Sequence, residues 1–277
     1  MSFQVSASGP DAAPTPAESL LKAGRLDEAL QALTAHVRGN PADAAARVFL
    51  FQLLAVSGQW ERAATQLEAS QQMDASNAVL GAVYGTLLEA ERVRAEVFAG
   101  NRLPTAIGEP EPWLAMLLHA AKLDAGGRHD EATALRGQAF EQAPVTTGRI
   151  DDAPFAWLAD ADPRFGPCLE IVVNGSYGWA PFSRMRALEL QAPASLSDML
   201  WTPVSVVWSN GGQAAGFVPT RYPGSEAAGD DLVRLGRRTE WMQVGKDGWT
   251  GVGQRMLATD AGEFPLLDIR QVEFDGH

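Results

Sequence analysis

The string Gly24-Arg25-Leu26-Asp27-Glu28-Ala29-Leu30 returns 34 residues later as Gly58-Gln59-Trp60-Glu61-Arg62-Ala63-Ala64. A further 69 residues, close to two more periods, leads to Gly127-Arg128-His129-Asp130-Glu131-Ala132-Thr133. Leu20, Leu54 and Leu123 keep the same register, as do Leu33 and Leu67. Each unit closes on a proline or a polar turn, at Asn40-Pro41, Asp74-Ala75-Ser76-Asn77 and Ala143-Pro144. A period of 34 with a glycine between two apolar runs is the mark of tetratricopeptide helix–turn–helix units. One such unit cannot bury its apolar face alone, so the whole segment must stack into a helical solenoid. The glycine is expected to end the first helix of each unit in the left-handed conformation. Ala29, Ala63 and Ala132 are expected to face the inside of their helix pairs. The middle unit is degenerate: Ser76 to Phe98 reads as one long helix, followed by a loop from Gly100 to Pro104. Glu109-Pro110-Glu111-Pro112 then opens the next helix with acids and prolines, both suited to a helix N-terminus. About seven helices are expected.

The chain changes character near residue 150. Up to Ala143 it is rich in Ala, Leu, Glu, Gln and Arg, which lose little entropy in a helix. Beyond Ile150 it turns to Val, Trp, Gly and Pro, and six of its eight tryptophans lie there. Asn174-Gly175 separates Leu169–Val173 from Tyr177–Trp179, a strong hairpin signal because both turn residues accept positive φ. Asn210-Gly211-Gly212 and Asp247-Gly248 mark two more hairpins, and Ser195 to Trp201 reads as a short capped helix. Hairpins in series are expected to curl into a small barrel, which hides strand edges. The division is therefore a flexible Ser/Ala/Pro/Gly tail over 1–14, a tetratricopeptide-like helical domain over 15–149, and a β-rich, barrel-like domain over 150–277. The fold class is multidomain α + β.

Hydrophobic residues make up 46% of the chain and charged residues 20%, which excludes disorder and permits a full core. Acids outnumber bases 34 to 22, a net charge of −12 that disfavours a phosphate backbone or an anionic lipid surface as partner. No apolar run reaches the 18 or so residues of a membrane span. The opening MSFQVSASGPDAAPTPAES has neither a basic n-region nor an apolar h-region, so no signal peptide is expected and the location read from it is cytoplasmic. The single cysteine, Cys168, precludes an internal disulfide.

Phe155-Ala156-Trp157-Leu158-Ala159-Asp160-Ala161-Asp162, shortly before Gly166-Pro167-Cys168-Leu169-Glu170, resembles the ImpE family, also called TagJ. Val173 to Phe182 and Pro219-Thr220-Arg221-Tyr222-Pro223-Gly224-Ser225 are similar to the same family, as is the order of a tetratricopeptide-like half before a β-rich half. The resemblance implies an accessory protein of bacterial type VI secretion. It further implies binding to the N-terminal helix of the small sheath subunit TssB in the cytoplasm, with a bearing on sheath disassembly by the ATPase ClpV. It supplies no catalytic motif and no binding residues that transfer position by position.

The residues themselves offer little chemistry. His36, His119, His129 and His277 form no zinc spacing, and His129 fills the slot of Leu26 and Trp60 in the repeat. No GxSxG elbow, GxxxxGK[ST] or GxGxxG occurs. Cys168 precedes an apolar strand with no nearby Lys or His, as a buried inert thiol would. A calcium loop starting at Asp160 fails at Arg164, Phe165 and Ile171, so Asp151, Asp152, Asp160 and Asp162 are read as caps and solvated acids. Gly81 and Gly85 are read as close helix packing. No catalytic residue, cofactor or metal site is assigned.

Three classes of function remain. The preferred one is a non-catalytic adaptor whose solenoid receives an amphipathic helix, since stacked helices make a groove for one. Its inner face is expected to stay open, with Glu61, Glu68, Glu89, Glu91 and Glu96 steering a basic partner. A fragment spanning 15–150 is expected to suffice for binding. The β domain is expected to dock on the last helices through Phe155 and Trp157. An alternative site is an aromatic groove of Trp179 and Trp208 with Arg221 and Tyr222 as polar contacts. The other classes are an oligomeric scaffold and an enzyme with a site between the halves.

Overall fold

The computed structural model describes residues 14–109 and 111–276. The expected flexible tail falls almost wholly on residues 1–13, outside the described part. Among the described residues the first half holds seven helices: α1 (Pro16–Lys22), α2 (Leu26–Gly39), α3 (Ala44–Val56), α4 (Trp60–Met73), α5 (Ala78–Phe98), α6 (Pro112–Ala125) and α7 (His129–Gln142). A one-turn helix, α8 (Asp231–Arg234), lies in the second half. Thr15 and Glu18 form a capping box at α1, each side chain accepting the other's backbone N–H.

The repeat acts as its spacing predicts. Gly24, Gly58 and Gly127 take φ of 74, 70 and 73°, a region costly for any side-chain-bearing residue. After each, the next backbone N–H reaches back to the carbonyl of Leu20, Leu54 or Leu123 at 2.9–3.0 Å. The matched leucines are thus the residues on which each helix end closes. Ala29, Ala63 and Ala132 are fully buried, so neighbouring helices meet over a methyl group. In the degenerate unit, Arg92 occupies the slot of Gly24 and Gly58, and α5 runs straight through it for 21 residues.

The described residues form fourteen strands, in chain order β1 (Thr105–Ala106), β2 (Gly148–Ile150), β3 (Ala153–Phe155), β4 (Leu158–Asp160), β5 (Cys168–Val173), β6 (Ser176–Pro181), β7 (Met185–Leu190), β8 (Trp201–Trp208), β9 (Gln213–Pro219), β10 (Thr239–Val244), β11 (Gly248–Gly253), β12 (Met256–Thr259), β13 (Gly262–Pro265) and β14 (Gln271–Phe274). All three expected hairpins form, as β5–β6, β8–β9 and β10–β11. At the first, Asn174 and Gly175 have φ of 52 and 75°, as a type I′ turn requires.

The strands divide among three sheets: nine strands in the order β1-β6-β5-β9-β8-β7-β14-β2-β3, a ribbon β10-β11, and β13-β12-β4. The β-rich character holds, but among the described residues no pairing joins β1 to β3 to close a barrel. Both edges are instead strands of two or three residues, too short to template another chain. One of them, β1, comes from the helical half, just after the expected loop from Gly100 to Pro104, and pairs parallel with β6. The expected helix from Ser195 to Trp201 shrinks to a 3₁₀ turn at Ser197–Met199. Asp198 accepts the N–H groups of Ala194 and Ser195, and the chain is already extended at Trp201.

Strand β5 is buried along its whole length, which explains how the halves fit. Its side chains alternate between faces. Cys168 and Val172 join a core shared with α1–α7, while Leu169, Ile171 and Val173 join a second core inside the β-rich half. The long helices end at Gln142 and the strands of the second half begin at Gly148, while the first core runs through both halves.

Candidate functional site

The strings that set this chain apart lie at the junction of the two halves. Glu170 on β5 points at α5 and takes a bidentate pair from Arg94, with both contacts at 2.9 Å. Arg255, between β11 and β12, donates to both Glu170 and Asp160 and is fully buried. The Tyr222 hydroxyl donates to Asp160 at 2.8 Å, and Trp179 donates through Tyr177 to Glu170. Asp162 accepts Arg164 and the Gly251 N–H, and its own N–H caps Asp160. The Arg255 guanidinium lies 4.6 Å from the Phe165 ring centre and 5.1 Å from that of Tyr222, which desolvates it with favourable contacts.

Burial dominates the electrostatics here. It pushes the Asp160 carboxyl up to about 6, against the opposing pull of Arg255. Burial also acts to raise Glu170, but two guanidiniums, Arg94 and Arg255, hold it below the ordinary carboxylate range. Burial lowers Arg221 to about 10 and raises the Cys168 thiol, which opposes thiolate chemistry. The charged groups of this network are spent on one another, an arrangement that fixes one body against another.

The β-rich half also completes the helical one. The N-terminal residues of α2, α4 and α7 supply no side-chain cap of their own. Asp231 provides one for α2, accepting the Leu26 N–H at 2.8 Å. Arg221 donates to the Val56 carbonyl at the end of α3, and the β10–β11 turn bonds to Asp130 on α7. Trp201 packs against Trp60 and Tyr84 at centroid distances of 6.3 and 5.8 Å, and Phe98 meets Phe165 and Trp179.

Several expected placements change accordingly. Where the solenoid's inner face was expected to stay open, the chain's own Trp201 packs on Trp60 of α4 and Tyr84 of α5, and Met199 and Leu200 join the same core. Phe155 does not dock on helices; it sits in the second core 6.2 Å from Phe274, and Trp157 is 42% exposed. The proposed aromatic groove does not assemble. Trp179, Arg221 and Tyr222 are buried at the junction, whereas Trp208 packs against the other core. Asp160 and Asp162 are buried ion-pair partners and not solvated acids. Among the acids, Glu61, Glu68, Glu89 and Glu96 are exposed. Glu91 is withdrawn into the junction, where it accepts Trp201 Nε1 at 2.9 Å and faces Arg94.

The sequence reading missed Arg94 and Arg255. Arg94 carried a signal, since it occupies the register slot of Leu26 and Trp60, where only a buried partner makes a charge tolerable. Among the described residues no cluster of three or more His, Cys, Asp or Glu could hold a metal, and no helix is long and apolar enough to cross a membrane.

Comparison with known proteins follows the same division. The tetratricopeptide repeat pattern matches residues 20–84, and the pattern of the family described as ImpE protein matches residues 152–273. The chain is 50% identical over 259 residues to the type VI secretion system accessory component TagJ of Pseudomonas aeruginosa, covering 94% of this chain and 91% of that one. An X-ray structure of a Vibrio parahaemolyticus protein shares the fold, with a TM-score of 0.87 at 24% identity over 95% of this chain and 98% of that one.

Proposed function

The chain belongs to the ImpE family, also called TagJ, and from that premise we propose that it is a non-catalytic adaptor of type VI secretion that binds the N-terminal helix of the sheath subunit TssB. Such an adaptor acts in the cytoplasm and bears on sheath assembly or its disassembly by ClpV, a second candidate partner. The observation that carries the reading is the outer surface of the helical half. Glu61, Glu68 and Glu89 stay exposed there, while the acids and aromatics that an inter-domain enzyme would use are bonded to one another inside. Acids on such a surface raise the encounter rate of a basic helix more than its final affinity.

The test is a titration of the full-length chain with a synthetic TssB N-terminal helix. The fragment 15–150 is unsuitable, because it lacks the cap on α2 and the Trp201 ring that packs on Trp60 and Tyr84. Saturable binding that weakens as salt rises supports the reading. Absence of saturable binding at low salt overturns it.

A further inference from the structure

Three of the large apolar side chains exposed on this protein fall within eleven residues of one another at the α4–α5 elbow: Met73 at 45%, Val79 at 76% and Val83 at 36%. On α5, Val79, Ala82, Val83 and Thr86 follow the i, i+3, i+4, i+7 spacing of a helix face that packs against something, yet all four are exposed. Gly85 beside them has open space where a side chain would be. Small residues of this kind let a second helix approach closely.

The repeat explains why this face lacks a neighbour. Helices α1, α3 and α6 are each followed, across a left-handed glycine, by an antiparallel partner, α2, α4 and α7. Helix α5 runs through the slot where its own glycine turn would stand, so the helix that would have followed is missing. Its second half finds a substitute in the β-rich half through Glu91 and Arg94. Its first two turns do not. The Asn174-Gly175 turn reaches only as far as Thr86, whose methyl lies 3.3 Å from the Cβ position of residue 175.

The charge around this face is mostly negative. Residues 59–89 carry four acids, Glu61, Glu68, Asp74 and Glu89, against one base, Arg62. Asp74, beside Met73, is held below its usual range by hydrogen bonds from Ser76. We propose that the first two turns of α5, with Met73 of α4, seat a basic amphipathic helix of a partner protein. This seat rests on the adaptor reading above and gives it a location. The apolar stripe runs about 10 Å along α5, enough for about two turns of the incoming helix. Its apolar residues would cover Val79 and Val83, and its Lys or Arg side chains would face Glu68 and Asp74, since Glu89 is paired with Arg92 at 3.0 Å.

The experiment uses the full-length chain and two labelled peptides in fluorescence anisotropy: the TssB N-terminal helix, and an 18-residue helix with Leu on one face and Lys on the other. The variants are Val79→Arg, Val83→Arg and Glu68→Lys, with Val145→Arg as control, since Val145 is 74% exposed beyond the end of α7. Thermal unfolding confirms that each variant folds. The seat predicts a loss of tenfold or more for Val79→Arg and Val83→Arg with both peptides, a smaller and salt-dependent loss for Glu68→Lys, and none for Val145→Arg. Binding of the Leu/Lys helix with this sensitivity, but not of the TssB helix, keeps the seat and removes the sheath partner. Binding of the TssB helix that is unchanged by Val79→Arg and Val83→Arg removes the seat and keeps the partner. Failure of both peptides to bind overturns both. A wild-type dimer in sedimentation that Val83→Arg dissociates also overturns the seat, in favour of a second copy of this chain.

Discussion

Replacing Arg255 by Leu removes a fully buried cation that serves two buried acids. The acids are not left equally exposed to the loss. Glu170 keeps its bidentate pair with Arg94 and the Tyr177 hydroxyl. Asp160 loses its cation and keeps the Tyr222 hydroxyl and the Asp162 N–H. Leaving a buried charge without its partner costs about 3–5 kcal/mol. The cost must depend on pH, because Asp160 can escape it by taking up a proton. Its folded-state pKa, already raised to about 6 by burial, rises further without Arg255. A carboxyl whose pKa is raised by folding stabilises the fold below its unfolded value, and that contribution is lost as pH rises through the folded value. In the wild type the loss is complete a little above pH 6, while in the variant it continues toward pH 8. The deficit of Arg255→Leu should therefore be roughly 2 kcal/mol smaller at pH 6 than at pH 8, at about 1.4 kcal/mol per pH unit. Urea unfolding of the full-length chain, followed by tryptophan fluorescence at both pH values, measures it. Adding Asp160→Asn should restore stability at pH 8. A deficit below about 1 kcal/mol at pH 8, or the same deficit at both pH values, would refute the account of the junction.

Ala63→Leu should cost about 1–3 kcal/mol by overpacking, because Ala63 has no exposed surface, and an unchanged denaturation midpoint would mean the repeat register is misread. Gly175→Val should lower the melting temperature by several degrees, since a β-branched residue must adopt φ near 75° and meets Thr86; a variant as stable as the wild type would contradict the turn. Asp231→Ala should cost about 0.5–2 kcal/mol through loss of the α2 cap, with hydrogen exchange rising first at the start of α2. Exchange that rises instead in the second core would place its effect elsewhere.

The legible parts of this fold were the local ones. Glycine slots, buried alanines and Asn-Gly turns depend on residues a few positions apart, so spacing alone reveals them. The junction is different. Arg94 meets Glu170 across 76 residues and Arg255 meets Asp160 across 95, and no periodicity connects such pairs. Two charges in apolar surroundings, Arg94 in a repeat slot and Glu170 within Leu169-Glu170-Ile171, were the visible traces of that network. The aromatic groove, weighed as the alternative to core packing, failed for a related reason. Trp179 and Trp201 face helices across the junction, which alternation along β6 and β8 does not reveal. The apolar stripe on α5 was hidden because Val79 and Val83 have the same pattern as buried residues, and only the missing neighbour exposes them.

The cap that Asp231 places on α2 has a consequence for how the chain is made. It arrives 205 residues after Leu26, the residue whose N–H it accepts. At a synthesis rate of about 5–20 residues per second, the start of α2 waits roughly 10–40 s for it. For most of that interval the rings of Trp60 on α4 and Tyr84 on α5 have left the ribosome without Trp201 to cover them. The N-terminal repeats cannot reach their final stability as they emerge, and nascent chains will carry a sticky helical segment for most of their translation. A stop codon near residue 230 would release a chain with every repeat intact, yet lacking the cap of α2 and the guanidinium that holds Asp160 and Glu170.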